Sequence, residues 1–300
     1  MRAPILAGFV ALALPFGQQA QQPFQISVDV NVVSLQASVH DRKGRLDSAL
    51  KERDFAVFED GVRQTIRLFR HDDVPVTIGL VVDHSGSMLR KLPEVVLAAK
   101  TFVHSSNPDD EMFVVNFNEH VVIGLPEGEA FTNRARDLEA AILNAPVAGQ
   151  TALYDAVIEA QSRLLTGTRA RKALVVISDG ADNASTHKRD EALKIAGLSQ
   201  ALIYTIGIFE EGSQDKNPDI LRRLARTTGG DAFFPQKQEK VAAICEQIAR
   251  EIRSQYTIEY VSTNASRSGA WRNIKVTAAG AGADLVVRTR SGYYPQVAPK

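Results

Sequence analysis

Residues 76–87 read VTIGLVVDHSGS, and this stretch decides the fold class. Its first seven residues form a nearly continuous apolar run, which is typical of a strand that is covered on both faces of a sheet. The run ends at Asp83, and the polar loop His84-Ser85-Gly86-Ser87 follows it. Because ligands of open α/β sheets bind at the carboxyl ends of strands, this junction is a candidate binding site.

Strand and helix patterns alternate from about residue 73 to residue 255. Strands are predicted at 76–82, 112–116, 120–125, 173–177, 202–209 and 232–234. Helices are predicted at 92–103, 134–144, 152–165, 190–198, 218–225 and 240–254. Such alternation indicates an α/β fold with a doubly wound, mostly parallel sheet and helices on both of its faces.

Both flanks of this region have the two-residue alternation of β-strands. In the N-terminal flank, residues 26–39 alternate, and Glu59-Asp60-Gly61 joins the strand patterns 55–58 and 62–69 as a hairpin turn. Three further strand patterns lie between residues 256 and 289. Three or four strands bury a face poorly, so we expect the flanks to pair into one β-sandwich-like module with the α/β domain inserted between them. The alternative is that each flank decorates the α/β domain separately.

The N-terminus has the pattern of a secretory signal peptide. Arg2 precedes a short apolar run at 5–16, which is too short to span a bilayer as a helix. We therefore expect an exported protein, periplasmic or secreted, with no membrane span in the mature chain; an uncleaved N-terminal anchor is the alternative. The predicted organisation is a signal peptide at 1–22, a β flank at 23–72, an α/β domain at 73–255 and a β flank at 256–296.

Composition narrows the classes of partner. The 300 residues contain 35 Lys and Arg against 35 Asp and Glu, and no long basic run, so nothing steers the chain to nucleic acid or anionic lipid. The single cysteine, Cys245, excludes an internal disulfide. It lies on the apolar face of the helix predicted at 240–254, which indicates a buried side chain rather than a reactive thiol.

Two more polar segments fall at the same predicted sheet edge as the loop of Asp83. Gly149-Gln150-Thr151 precedes the helix at 152–165, and the strand at 173–177 ends in Ser178-Asp179-Gly180. The combined donors are two carboxylates and three hydroxyls, all of them hard oxygen ligands. Such donors suit one Mg²⁺, Mn²⁺ or Ca²⁺ ion and argue against zinc or copper. The candidate metal ligands are Asp83, Ser85, Ser87, Thr151 and Asp179.

At these residues the chain resembles the von Willebrand factor type A (VWA) family, with its metal-ion-dependent adhesion site (MIDAS). The resemblance covers about residues 75–250. It implies that Asp83, Ser85 and Ser87 supply the first ligand cluster, Thr151 the second and Asp179 the third, some of them through water. It also implies a protein or matrix partner whose acidic residue completes the coordination of the ion.

The flanks contain further short motifs, which are Asp54-Phe55, Glu59-Asp60-Gly61, Gln64, Phe69, Arg288, Arg290 and Gly292-Tyr293-Tyr294. At these residues the chain resembles, more narrowly, the VWFA-related exported proteins common in Acidobacteria. This resemblance adds to the expectation of export and does not identify the partner.

No catalytic residue is predicted. His84 and Ser85 are adjacent in a loop and so do not face each other as base and nucleophile, and the chain has neither a G-x-S-x-G elbow nor a phosphate-binding P-loop. The expected function is therefore a metal-dependent, adhesion-type binding module. The alternatives are a non-enzymatic structural scaffold of an exported complex and a VWA subunit that assists an enzyme.

Several polar residues could rim the metal or be plain solvated loop residues, and the sequence leaves both interpretations open. They are His84, Asn118, Glu119, Gln150, Tyr154 and Asp182. The acidic loop with Glu210, Glu211 and Asp215 is interpreted as a solvated loop rather than a second cation site.

Overall fold

A computed structural model describes residues 32–209, 216–236, 240–266, 269–280 and 285–295. The strands are β1 (Val32–His40), β2 (Phe55–Glu59), β3 (Val62–Gln64), β4 (Ile66–Arg70), β5 (Val76–Asp83), β6 (Glu111–Phe117), β7 (Val121–Ile123), β8 (Arg171–Ser178), β9 (Leu202–Gly207), β10 (Ala232–Phe233), β11 (Tyr256–Val261), β12 (Arg272–Ala278), β13 (Val286–Arg288) and β14 (Gly292–Tyr293). The α-helices are α1 (Leu92–Ser105), α2 (Ala135–Leu143), α3 (Leu153–Leu164), α4 (Arg189–Leu198), α5 (Pro218–Thr228) and α6 (Val241–Arg253).

Some predictions lie outside the described residues. They are the signal peptide at 1–22, the strand pattern at 26–31 and the acidic loop of Glu210, Glu211 and Asp215. Within the described ranges, no helix combines the length and the apolar character that a bilayer crossing requires.

The central sheet has six strands in the order β10-β9-β8-β5-β6-β7. Neighbouring strands are parallel except β7, which pairs antiparallel with β6. Every residue of β5 is buried, as its continuous apolar run predicts. The helices pack in two groups, α1 with α2 and α6, and α3 with α4 and α5. The predicted α/β class with a mostly parallel sheet is therefore confirmed.

Local sequence explains where the helices begin and end, and α5 is the clearest case. The Asn217 side chain caps the helix by accepting a hydrogen bond from the backbone N–H of Ile220, and Pro218 occupies the first turn. Gly229 ends the helix at φ 91°, a left-handed conformation that glycine adopts without strain. Helix α6 buries one apolar face, which includes Cys245, and the thiol is buried as predicted.

The two flanks form one β-sandwich of two four-stranded sheets, β13-β1-β11-β4 and β14-β12-β2-β3. Each sheet mixes strands from both ends of the chain: Leu35 of β1 pairs with Ile258 of β11, and Val57 of β2 pairs with Val276 of β12. These four side chains belong to a single buried core, separate from the core of the α/β domain. The predicted joint module is therefore confirmed. The domain boundaries 23–72, 73–255 and 256–296 stay predictions.

Two details of the sandwich differ from the sequence-based prediction. The strand predicted at 62–69 is two strands, because the chain leaves one sheet after Gln64 and enters the other at Ile66. The buried amide of Gln64 fixes this corner, since it donates to Thr263 Oγ1 at 3.0 Å and accepts from the Thr263 N–H at 3.1 Å. The other difference is β14, whose two residues are too few to show any periodicity.

Candidate metal centre

The candidate site lies at the carboxyl ends of two neighbouring strands. Asp83 is the last residue of β5, and Ser178 is the last residue of β8. From β5 the chain continues through α1 to β6 on one side of the sheet, and from β8 it continues through α4 to β9 on the other. The two loops therefore diverge, and the crevice between them is the topological switch point where open α/β sheets bind ligands.

Asp83 forms the base of this crevice. Its side chain is fully buried, its Oδ1 accepts the Ser85 N–H at 2.8 Å, and its Oδ2 accepts the Ser178 hydroxyl at 2.6 Å. Burial raises the pKa of Asp83 to about 6, and the charge of Asp179 acts in the same direction. A carboxylate that is desolvated and close to a second carboxylate is the arrangement that a bound cation would stabilise.

Hydroxyl groups join the first predicted ligand cluster to the third. Ser85 Oγ and Ser87 Oγ lie 3.2 Å apart, and the Ser87 hydroxyl donates to Asp179 Oδ2 at 2.7 Å. Asp179 Oδ1 accepts the Ala181 N–H at 3.1 Å, which orients the carboxylate. Ser85, Ser87 and Asp179 are thus brought together as the sequence predicted, from loops that lie 92 residues apart in the chain.

Thr151 lies on a third loop that contacts both of the others. Its backbone N–H donates to Asn183 Oδ1 at 2.8 Å, and its carbonyl oxygen accepts the N–H groups of Asn183 and Ala184, so it is tied to the loop after β8. Two residues earlier, the Gly149 carbonyl accepts the Gly86 N–H at 3.3 Å, which joins the loop after β5. Thr151 precedes the N-cap residue of α3, Ala152, and its hydroxyl has no hydrogen-bond partner in the described ranges.

Gly149 shapes this third loop. Its φ is +81°, and a Cβ at this position would collide with the carboxylate of Glu119. Glu119 Oε2 in turn accepts the Gln150 N–H at 2.9 Å. The positive φ therefore favours glycine at this position, and the carboxylate at the end of the exposed Glu119 side chain approaches it closely.

Two of the rim candidates, His84 and Asp182, form hydrogen bonds that hold the loops of the site in place. His84 is fully buried, and its backbone N–H donates to the Phe117 carbonyl at 2.6 Å, which holds the residue against the end of β6. Burial lowers the pKa of His84. Asp182 caps α3 by accepting the Tyr154 N–H at 3.2 Å. The interpretation of His84 as a solvated loop residue is wrong, and its interpretation as a rim residue stays a prediction.

Ser178 and Asn183 support the site and were not assigned a role from the sequence. Ser178 holds the Asp83 carboxylate, and Asn183 holds the Thr151 backbone. Ser178 could have been found, because it follows the strand predicted at 173–177 and directly precedes the predicted ligand Asp179. Asn183 has no such signal, since its role depends on the approach of two loops.

The donor chemistry fits a hard divalent cation. Across the ranges that the structure describes, no group of three or more His, Cys, Asp or Glu side chains is placed to hold a metal. A metal site in this crevice therefore needs hydroxyl oxygens in addition to its two carboxylates, and Ser85, Ser87 and Thr151 can supply them. Oxygen donors of this kind match Mg²⁺, Mn²⁺ and Ca²⁺.

Comparison with known proteins gives the family. The model of the von Willebrand factor type A domain matches residues 77–247, more than half of the chain, so the chain belongs to this family. No curated protein matches the chain.

Solved structures share the fold at low identity. A von Willebrand factor type A protein from Catenulispora acidiphila is 14% identical with a TM-score of 0.53, covering 89% of this chain and 75% of that one. Proximal thread matrix protein 1 from the mussel byssus is 17% identical with a TM-score of 0.52, covering 65% and 51%. A structure of that mussel protein with a zinc-occupied MIDAS motif is also 17% identical, with a TM-score of 0.51, covering 65% and 50%. The chain spans about half the length of the mussel protein.

Proposed function

We propose that this chain is a non-enzymatic, adhesion-type module that binds a protein or matrix partner through one divalent cation, Mg²⁺, Mn²⁺ or Ca²⁺. The ion would be held by Asp83, Ser85, Ser87, Thr151 and Asp179. The partner offers an acidic residue, and the module works after export, in the periplasm or outside the cell. The signal-peptide pattern at 1–22 supports this compartment.

One observation carries the proposal. The hydroxyl of Ser87 lies within hydrogen-bond distance of both Ser85 Oγ and Asp179 Oδ2, at 3.2 and 2.7 Å. Three of the five proposed ligands therefore have their oxygen atoms in one small volume at the switch point of the sheet. Thr151 is fixed beside them by Asn183, and its hydroxyl is not engaged by another described residue.

The balance of charge in this ligand set favours partner binding over closed coordination. Only Asp83 and Asp179 are anionic, whereas Ser85, Ser87 and Thr151 are neutral donors. A divalent cation held by them keeps part of its positive charge and supplies an open coordination position that a carboxylate from a partner can take. The zinc-occupied MIDAS motif of the structurally similar mussel protein supports a divalent cation as the resident ion.

Calorimetric titration of Mg²⁺, Mn²⁺, Ca²⁺ and Zn²⁺ into the full chain tests the proposal. Asp83→Ala should weaken cation binding by about tenfold or more, which is about 1.4 kcal/mol, because it removes one of two charges. Thr151→Ala removes a neutral ligand that water can replace, so its effect should be smaller on the ion and larger on the partner. Asp109→Ala is the matched control, since Asp109 is an exposed aspartate just before β6, at the opposite edge of the sheet.

Circular dichroism should show that all three variants keep the fold. If wild type binds no divalent ion at millimolar concentration, or if folded Asp83→Ala binds as tightly as wild type, the proposal is wrong. A partner that is released by EDTA supports adhesion, whereas a partner that stays bound supports the scaffold alternative.

A further inference from the structure

A cavity of about 440 Å³ lies at the opposite edge of the central sheet, where the α/β domain meets the β-sandwich. One wall is the outer face of β1, β11 and β4, with Ser34, Gln36 and Glu259. The other wall includes Pro75, just before β5, and Arg171, the first residue of β8. Because β5 and β8 are parallel, this is the amino-terminal edge of the sheet, and the candidate metal centre is at its other end.

Arg171 is a buried cation in this cavity, and the residue is only 6% exposed. Its Nη2 donates to Thr257 Oγ1 at 2.7 Å and to the Gln255 carbonyl at 3.4 Å, and its Nη1 donates to the Asp72 carbonyl at 3.2 Å. These acceptors are neutral, and no carboxylate in the described part of the chain forms an ion pair with Arg171. Burial lowers its pKa, and the more distant charges of Asp72 and Asp73 do not cancel that effect.

Arg290 lines the same cavity from the segment between β13 and β14. Its Nη2 donates to the Ser34 carbonyl at 3.0 Å, but its Nε is buried and has no hydrogen-bond partner within the described ranges. Like Arg171, it forms no ion pair with a described carboxylate, and burial lowers its pKa. An unpaired donor on a desolvated guanidinium costs free energy unless an acceptor reaches it.

The other charged groups of the cavity do not neutralise this pair. Arg70 and Arg169 add positive charge to the lining, and Arg169 is paired with Glu111 at 3.7 Å outside it. Asp72 and Glu259 also line the cavity, yet neither carboxylate is within ion-pair distance of Arg171 or Arg290. The two guanidinium groups therefore carry positive charge that no carboxylate among the described residues pairs with.

We propose that this cavity binds a small ligand bearing an oxyanion, a carboxylate or a phosphate, through the guanidinium groups of Arg171 and Arg290. The planar guanidinium donates in a fork that matches the oxygens of either anion. Such a ligand contacts the α/β domain through Arg171 and the sandwich through Arg290, so it stabilises the junction between them. The proposal is independent of the metal centre, because the two sites share no residue.

Titration calorimetry with the full chain tests the proposal, using inorganic phosphate and succinate as separate probes at constant ionic strength. We expect saturable binding of at least one probe below about 10 mM. Binding of phosphate alone assigns a phosphate-bearing ligand, and binding of succinate assigns a carboxylate. Arg290→Gln should weaken that binding at least about tenfold, which is the loss of one charged hydrogen-bond donor. Arg63→Gln, which removes an exposed arginine from β3, should leave it unchanged.

Glu259→Gln gives a test of opposite sign that does not depend on the folding of the arginine variant. It removes a negative charge from the cavity wall, so the bound probe should bind about threefold more tightly. The proposal is overturned if neither probe binds saturably, if folded Arg290→Gln binds as wild type does, or if Glu259→Gln leaves the affinity unchanged.

Discussion

The two edges of the central sheet differ in the charge that they concentrate. At the carboxyl edge, Asp83 and Asp179 lie among hydroxyl groups, and no cationic side chain of the described residues is hydrogen-bonded to either of them. At the amino edge, Arg171 and Arg290 line a cavity without carboxylate partners among the described residues. One edge therefore suits a cation and the other an anion, although the whole chain has a formal net charge of zero.

This difference shows that net charge affects solubility and long-range steering. Binding at a particular site depends instead on which buried charged groups lack a partner of opposite charge. The two edges also differ in construction. The loops that the structure describes at the carboxyl edge all belong to the α/β domain. The amino edge is closed by strands from both flanks, so it depends on the contact between two domains.

The largest expected effect comes from breaking that domain contact. Glu251 of α6 is buried, accepts the Ser38 hydroxyl of β1 at 2.9 Å and lies 3.5 Å from His40 Nε2. Glu251→Ala should lower the free energy of unfolding by about 3–5 kcal/mol, because it leaves buried polar partners unpaired. Urea unfolding, monitored by circular dichroism, measures this free energy. Glu246→Ala, at an exposed i,i+4 pair on the same helix, should cost less than about 0.5 kcal/mol.

If Glu251→Ala lowers the free energy of unfolding no more than Glu246→Ala does, the contact of Glu251 with Ser38 and His40 does not stabilise the amino edge. Cation affinity offers the second readout. It should be unchanged in folded Glu251→Ala, since the carboxyl edge contains none of the residues that contact Glu251.

The next effect concerns the carboxyl edge, where Gly149→Ala should cost about 2 kcal/mol of stability and also weaken cation binding. The added Cβ meets the Glu119 carboxylate at a position where φ is +81°. Gly128→Ala is the matched control, because its φ is +90° and nothing lies near its Cβ, so it should show only the backbone cost of about 1 kcal/mol. Thermal unfolding measures the loss of stability in both variants. Equal losses would mean that the Glu119 side chain moves away from the added Cβ without a cost in stability.

Ser178→Ala tests whether a residue outside the ligand set positions Asp83. The variant removes the 2.6 Å hydrogen bond to Asp83 Oδ2. Groups that orient a metal ligand typically contribute tenfold or more to affinity, so we expect about a tenfold weaker binding of Mg²⁺ or Mn²⁺ by calorimetry. Thr101→Ala removes a hydroxyl of α1 that bonds only to the Leu97 carbonyl, and it should leave affinity unchanged. Undiminished binding in Ser178→Ala would contradict the positioning role.

The smallest effect is a pH dependence at the domain contact. Burial acts to raise the pKa of Glu251, but the hydrogen bonds of His40 and Ser38 and the charges of His40 and Arg288 hold it below its usual 4.5. A lowered carboxyl pKa means that the stabilisation is fully present above about pH 4.5 and is lost as pH falls through the lower folded-state pKa. The stability gap between wild type and Glu251→Gln should therefore narrow as pH falls below 4.5, by at most about 1.4 kcal/mol per pH unit, until the folded-state pKa is passed. Unfolding curves from pH 7 to pH 3 measure it, and a constant gap would contradict the assignment.

The sequence alone determined the α/β class, the order of the strands and helices and the loops that carry the candidate metal ligands. The apolar run of β5 and the strand end at Ser178 are local patterns, and in a parallel sheet the carboxyl ends of neighbouring strands fall at one edge. Proximity of Asp83, Ser85, Ser87 and Asp179 could therefore be predicted without coordinates. The pairing of the flanks could be predicted as well, because neither flank has enough strands to bury a face by itself.

Only the tertiary structure decided which contacts hold the loops of the candidate site in place and which cavity the α/β domain and the sandwich enclose. The switch of sheets at Thr65, the anchoring of Thr151 by Asn183 and the burial of His84 depend on contacts between segments far apart in the chain. The cavity of Arg171 and Arg290 is the strongest case. Neither arginine stands out in its own strand or loop. Among the described residues, the lack of a carboxylate partner becomes visible only where the α/β domain meets the sandwich, because desolvation and pairing are properties of a packed environment.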